Sequence, residues 1–115
     1  MVSEDDIINV VEMDCSQRKA ITRALNSQVS VITGPPGTGK TQMIVNLLAN
    51  AMLKGKSVCT SNKALVEKHG AELLAIAKEK NVNYLFEASV GGGIPIIRPL
   101  HTCLTADVIE EISGI

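Results

Sequence analysis

The sequence predicts an α/β fold, a three-layer sandwich in which a small parallel sheet carries helices on both faces. Short β-branched runs alternate with apolar-patterned stretches of helix length along the 115 residues, and this order is typical of parallel β-α-β units. A glycine-rich turn also separates the first β-branched run from the helix that follows, an arrangement that binds anions at a helix N-terminus. The length suits a single domain, residues 1–115.

The first half of the chain has clear helix and strand signals after an acidic start. Residues 1–14 are weakly patterned, and we leave their structure open. Ser16 is a suitable N-cap, and its helix has apolar residues on one face (Ala20, Ile21, Ala24, Leu25). The elements predicted here are a helix at 17–25, strand A at 29–33, a helix at 41–54 that ends at Gly55, and strand B at 56–61.

The second half continues the alternation. Ser61 or Asn62 caps a helix that Asn81 ends, and its buried face is predicted to hold Leu65, Val66, Leu73, Leu74, Ile76 and Ala77. The elements predicted here are a helix at 63–80, strand C at 82–89, a turn at 91–93, a partly helical segment at 94–107 broken by two prolines, and strand D at 108–115. Strand order B-C-A, with strand D at one side, and sequential order A-B-C both remain open.

Composition excludes several classes of protein. The net charge of −1 and the 2% aromatic content provide neither a basic surface nor a stacking platform for nucleic acid. Three widely spaced cysteines suit a reduced cytosolic protein better than a disulfide framework, and Cys59, inside strand B, is expected to be buried. The acidic start is no signal peptide, and the most apolar stretch, 43–53, is too short to span a membrane. We expect a cytoplasmic protein, or an engineered chain without a native compartment.

The glycine-rich turn is a complete phosphate-binding loop, G-x-x-x-x-G-K-[S/T]. Its residues are Gly34, Pro35, Pro36, Gly37, Thr38, Gly39, Lys40 and Thr41. The glycines bring backbone N–H groups onto phosphate oxygens, Lys40 reaches the β and γ phosphates, and the Thr41 hydroxyl binds Mg²⁺. The predicted ligands are therefore ATP or ADP together with Mg²⁺.

Residues 14–64 resemble the ATPase core of superfamily 1 helicases of the nonsense-decay and DNA-repair type. The similar runs are Asp14-Cys15-Ser16-Gln17-Arg18-Lys19-Ala20-Ile21, then 31–41 across the loop, then 56–64. The resemblance implies that Gln17 reads the adenine edge and that 60–64 corresponds to the motif that touches single-stranded nucleic acid. An ordinary exposed glutamine at a helix start is the alternative for Gln17.

Residues 60–115 resemble a different family, homoserine dehydrogenase. The similar runs are 62–70, then Glu87-Ala88-Ser89-Val90-Gly91-Gly92-Gly93-Ile94-Pro95-Ile96-Ile97-Arg98-Pro99-Leu100, then 109–115. The resemblance implies an active-site role for Lys63 and a cation near Glu87 and the carbonyls of Val90 and Gly92. Both families can supply 60–64, so we infer a chimera, a P-loop NTPase and Rossmann-like hybrid with halves 1–64 and 60–115. An engineered origin is the first hypothesis, and a natural hybrid or a gene-fusion relic is the alternative.

Each half lacks parts that its family needs for catalysis. The first has no Asp-Glu strand at a natural spacing and no arginine finger, and the second has no G-x-G-x-x-G turn. We therefore expect neither helicase nor dehydrogenase activity, and at most slow ATP hydrolysis. Glu87, at the end of strand C, is a candidate surrogate ligand for Mg²⁺ beside Thr41. A solvated carboxylate without a function is its alternative.

Three functions remain open at this point. The first is nucleotide binding at 34–41, the second is a structural chimera that binds only phosphate, sulfate or nothing, and the third is an NAD(P)-binding module. The expected partner is the nucleotide, with no membrane or nucleic acid. Late apolar residues offer a surface for a homodimer or for strand exchange (Ile94, Ile96, Ile97, Ile115).

Overall fold

A computed structural model of the chain describes residues 1–34, 39–102 and 108–113. These residues form a mixed α/β fold with a small parallel sheet, as the sequence predicts. After a 3-10 turn at Glu4–Asp6, the elements are α1 (Cys15–Asn26), α2 (Lys40–Leu53), β1 (Val58–Cys59), α3 (Lys63–Lys80), β2 (Tyr84–Leu85), α4 (Glu87–Gly91) and α5 (Ile97–Thr102). Among the described helices, none is both long and apolar enough to cross a membrane.

Helix α2 is the centre of the fold because it is buried on opposite sides. One side packs against α3 and the sheet and contributes Val45, Ala49 and Met52 to a cluster with Leu65, Leu73, Ala77 and Tyr84. The other side packs against α1, where Met43 and Ala51 join a cluster with Ile7, Ile21 and Leu25. The core therefore fixes the direction of α2, whose first residues, Lys40 and Thr41, are the last two of the glycine-rich motif.

Helix α3 occupies the predicted residues, and its end signals are local. The Asn62 side chain accepts a hydrogen bond from the Leu65 N–H at 3.1 Å, and Asn81 ends the helix in the left-handed conformation with φ 52°. Both roles are typical of asparagine. Its buried face is as predicted except for Leu74, which is 43% exposed. Leu74 lies outside the strip that faces α2.

The sheet confirms that predicted strands B and C are parallel neighbours, although each is shorter than expected. Residues 87–89, predicted as part of strand C, instead belong to helix α4. Val58 pairs with Tyr84, and Cys59 pairs with Leu85. Val58 and Tyr84 contribute to the core, so Cys59 and Leu85, at alternate positions, point to the opposite face. Cys59 is exposed rather than buried as predicted, because no described helix covers that face.

Strand A is not formed, which corrects the prediction for 29–33. Val29 and Val31 are 86% and 84% exposed, and no described segment pairs with them. An extended segment gains little stability without a hydrogen-bonded neighbour, so the β-branched composition is not sufficient. Neither proposed strand order is therefore realised in the described residues. The described part of strand D, 108–113, also forms no strand.

Helix α1 begins earlier than predicted, because Asp14 rather than Ser16 is its N-cap. The Asp14 carboxylate accepts from the Gln17 N–H at 2.8 Å, and the Gln17 side chain accepts from the Asp14 N–H at 3.1 Å. This reciprocal capping box satisfies two backbone donors at once. It also fixes the position of the Gln17 side chain, which matters for the site.

Candidate functional site

The phosphate-binding loop leads directly into α2, as its sequence predicts. Gly39 is the N-cap of α2 and has a left-handed backbone with φ 74°. Lys40 and Thr41 form the start of the helix, and both are exposed. The first N–H groups of a helix have no partner within it, so they can bind an anion. Pro35, Pro36, Gly37 and Thr38 lie outside the described residues.

Gln17 contacts the loop through the last of its glycines. Its Nε2 donates to the Gly39 carbonyl at 3.1 Å, while its Oε1 takes part in the capping box with Asp14. The contact therefore joins the first turn of α1 to the N-cap of α2. The structure brings this predicted site residue to the loop, and its role in reading a base stays a prediction.

Two adjoining clefts flank the Gln17–Gly39 contact. The loop cleft, of about 310 Å³, is lined by Asp14, Ser16, Gln17, Ala20, Ile32, Thr33, Gly34, Gly39, Lys40 and Met43. The strap cleft, of about 420 Å³, is lined by Glu12, Met13, Asp14, Gln17, Gly39 and Gln42. The first holds the predicted phosphate-binding residues that the structure describes apart from Thr41, and the second lies on the side of the N-terminal segment.

The substitution Gly39→Ala is expected to be more destabilising than an alanine at another left-handed glycine. A Cβ at Gly39 would lie 2.6 Å from Gln17 Nε2, so the Gln17–Gly39 hydrogen bond would be lost. The left-handed backbone costs about 1–2 kcal/mol for alanine, and the lost hydrogen bond costs about 1 kcal/mol more. Urea unfolding of the variant measures the sum.

Gly55→Ala is the matched control. Gly55 also has a left-handed backbone, with φ 80°, but a Cβ there would meet no atom within 4 Å. It should therefore show only the backbone cost. Equal losses of unfolding free energy in the two variants would contradict a stabilising contact between Gln17 and Gly39.

Glu87 is held away from α2 in the described structure. Its carboxylate accepts hydrogen bonds from the N–H groups of Ile96, Ile97 and Arg98, the last two at 3.0 and 2.9 Å. Helix α4, which Glu87 begins, packs on α3 and α5 but not on α2. The described structure therefore does not bring Glu87 and Thr41 together, and metal binding by either residue stays a prediction. The described residues hold no cluster of three or more His, Cys, Asp or Glu side chains suited to a metal ion.

The contacts of Glu87 predict a pH dependence. Desolvation raises the pKa of the Glu87 carboxyl, but the three N–H donors and the Arg98 charge outweigh it, so the pKa lies below the ordinary 4.5. A lowered folded-state pKa gives stability that is present above pH 4.5 and is lost as the pH falls through the lowered value. We expect Glu87→Gln to reduce thermal stability at pH 7 and to match the wild type at the lowest pH at which both fold. A constant difference across that range would contradict this role.

Two asparagines in α2 shape the same region, a structural role that the sequence patterns did not predict. Asn46 and Asn50 are 0% and 1% exposed, and both bind the backbone of the N-terminal segment at 8–11. Arg18 binds the carbonyls of Glu4 and Ile7 at 2.9 and 3.0 Å. Two asparagines four residues apart in an apolar helix were the available signal, since buried amides need hydrogen-bond partners.

Comparison with known proteins gives two kinds of match. A family model described as an AAA domain matches residues 12–83. Homoserine dehydrogenase of Corynebacterium glutamicum is 49% identical over 65 residues, which cover 56% of this chain and 15% of that protein. The Bacillus subtilis homoserine dehydrogenase is 44% identical over 77 residues, which cover 67% of this chain and 18% of that protein.

Each homoserine dehydrogenase is matched over only a small part of its own length. A third homoserine dehydrogenase, from Pseudomonas aeruginosa, is 46% identical over 69 residues, or 60% of this chain and 16% of that protein. The chain thus spans less than a fifth of the length of these relatives. No solved structure matches the chain.

Proposed function

Because this chain belongs to the AAA domain family, we propose that it binds ATP or ADP at Gly34–Thr41, with Mg²⁺ on the Thr41 hydroxyl. The observation that carries the proposal is the hydrogen bond from Gln17 to the Gly39 carbonyl. It joins the phosphate-binding loop to the helix whose first turn lines both clefts. Nucleotide phosphates would then lie at the start of α2, and the base would lie beside Gln17.

Hydrolysis of the bound nucleotide would be slow at most. Phosphoryl transfer depends on charges positioned around the γ-phosphate. Glu87, the candidate surrogate Mg²⁺ ligand, accepts hydrogen bonds from three backbone N–H groups. It also begins a helix that does not contact α2. Recruitment of Glu87 as a Mg²⁺ ligand would require these bonds to break, and this supports binding without efficient hydrolysis.

Calorimetric titration with Mg-ATP, Mg-ADP, NADPH and inorganic phosphate tests the proposal on the full chain. We expect Mg-ATP and Mg-ADP to bind with similar affinities, and both affinities to be higher than those of NADPH and inorganic phosphate. A preference for NADPH would replace the proposal with a dinucleotide-binding module. Binding of phosphate alone, or of nothing, by folded protein would leave a structural chimera.

The dinucleotide-binding module is the second candidate because of the homoserine dehydrogenase similarity, 49% identity over 65 residues in one case. We also propose that the chain is an engineered chimera; the matches to an AAA domain model and to homoserine dehydrogenases are consistent with parts from two families. Lys63 begins α3 and is exposed. To act in an active site, it would need partner groups beyond those that the structure describes. Loss of NADPH binding in Lys63→Ala would favour this candidate.

The uncovered apolar surface supports a further proposal, that two chains associate. Leu85 is 57% exposed on the outer sheet face, and Ile94 and Ile96 are 69% and 38% exposed. Ile97 is half-buried, and Ile115 lies outside the described residues. A second copy would cover the outer sheet face, and segment 29–33 exchanged between copies would add a third strand to the sheet. A monomer mass that does not change with concentration in sedimentation would contradict association.

A further inference from the structure

The N-terminal segment at 8–14, which we call the strap, is attached to α2 through buried side-chain amides. Asn50 binds both polar groups of Ile8, accepting from its N–H and donating to its carbonyl, each at 2.8 Å. One turn earlier, Asn46 accepts from the Val10 and Val11 N–H groups at 2.7 and 3.2 Å and donates to the Val11 carbonyl at 2.9 Å. The two amides thus take the place of a neighbouring strand.

The same amides are bonded back to their own helix. Asn46 Nδ2 also donates to the Gln42 carbonyl at 3.1 Å, and Asn50 Nδ2 donates to the Asn46 carbonyl at 2.8 Å. Each amide thus has both its donor and its acceptor satisfied in a site closed to water. A slip of the strap would leave buried polar groups unpaired, which is costly, so the strap has one register on α2.

The strap residues that directly follow those bound by Asn46 form one wall of the strap cleft. Val11, the last residue that Asn46 binds, is followed by Glu12, Met13 and Asp14, which all line that cleft. On the helix side, Asn46 bonds to Gln42, which lines the same cleft. Asn46 therefore connects both walls without lining the cleft itself. Asn50 lies one turn further away and binds only Ile8 of the strap.

We propose that Asn46 is a positioning residue for the base side of the nucleotide site. By fixing Val10 and Val11, it holds Glu12–Asp14 in the cleft wall that they share with Gly39 and Gln42, where the base of an adenine nucleotide would lie beside Gln17. This inference rests on the proposed nucleotide binding. The triphosphate would bind at the start of α2 and would not use the strap wall, so Asn46 should affect ATP but not inorganic tripolyphosphate.

Affinities of Mg-ATP and Mg-tripolyphosphate, measured by calorimetry for the wild type, Asn46→Ser and Asn50→Ser, test the proposal. In the wild type we expect both ligands to bind, with ATP the tighter. In Asn46→Ser the advantage of ATP over tripolyphosphate should fall roughly tenfold, the equivalent of one or two lost hydrogen bonds, while tripolyphosphate affinity stays unchanged. Asn50→Ser, the matched control, should keep the wild-type ratio although it also loses stability in urea.

The outcomes separate the proposal from the function on which it rests. Equal weakening of both ligands in Asn46→Ser, an unchanged ratio, or the same change of ratio in Asn50→Ser would overturn the positioning role while nucleotide binding stands. A folded wild type that binds neither ligand would overturn both.

A second measurement needs no variant and covers the case in which Asn46→Ser does not fold. Hydrogen exchange of the Val10 and Val11 amides reports opening of the strap from Asn46. Mg-ATP should slow this exchange several-fold more than Mg-tripolyphosphate, because only ATP contacts the strap wall. Equal slowing by the two ligands, or none, would contradict the proposal.

Discussion

Lys40→Ala is expected to weaken Mg-ATP binding roughly 10- to 100-fold without unfolding the protein. Lys40 is the first residue of α2, directly after the left-handed Gly39, and its side chain is exposed toward the loop cleft. A hydrogen bond to a charged group contributes roughly 1.5–3 kcal/mol, and each 1.4 kcal/mol is about tenfold in affinity. Calorimetric titration of Mg-ATP into wild type and variant measures the difference.

Lys63→Ala is the matched control for Lys40→Ala. Lys63 is likewise an exposed lysine at the first position of a helix, α3, and its removal changes the net charge equally. It should leave Mg-ATP affinity unchanged. Similar losses of Mg-ATP affinity in the two variants would mean that binding depends on the overall charge of the protein, and the loop would not be the binding site.

Leu73→Ala is expected to lower the free energy of unfolding by about 2–5 kcal/mol. Leu73 is fully buried in the cluster that joins α3 to α2 and the sheet. Small domains have only about 5–15 kcal/mol of total stability, so the loss is a large fraction. Urea denaturation followed by circular dichroism measures it.

The neighbouring Leu74→Ala serves as the control for Leu73→Ala. Leu74 is 43% exposed, so its truncation leaves little cavity, and the cost should stay below about 1 kcal/mol. A cost for Leu74→Ala equal to that of Leu73→Ala would contradict the packing of α3 described above.

The long helices α1, α2 and α3 could be predicted because their signals are local, whereas α4 lies on residues predicted as strand C and a turn. Asn62, Asn81 and Gly55 act at the ends of α2 and α3 through their own backbone preferences and short-range hydrogen bonds. The glycine-rich motif likewise predicted a turn followed directly by a helix, and the structure has the left-handed Gly39 immediately before α2. None of these features depends on distant residues, so sequence patterns suffice.

The sheet was harder to predict because it depends on tertiary contacts. Val29 and Val31 have the composition of a strand, but pairing requires a neighbour, and the described structure supplies none. Cys59 was expected inside, yet its burial depends on cover for the outer sheet face. Strand propensity indicates which residues suit a sheet, and long-range pairing decides whether they form one.

Only the local part of the candidate site could be predicted from the sequence. The loop motif identifies Gly39, Lys40 and Thr41 from spacing alone. The contacts of Asn46 with the strap and of Glu87 with Ile96–Arg98 join residues 9 to 36 positions apart in the chain. The sequence indicates that these polar groups need partners but not which partners they have.

The most direct test of nucleotide binding at the loop is an NMR titration of the labelled chain with Mg-ATP. The account predicts saturable shifts of the Gly39, Lys40 and Thr41 amides and of the Gln17 side-chain amide, all with one dissociation constant. Absence of shifts in the folded protein, or shifts confined to 87–98 in the second half, would contradict it.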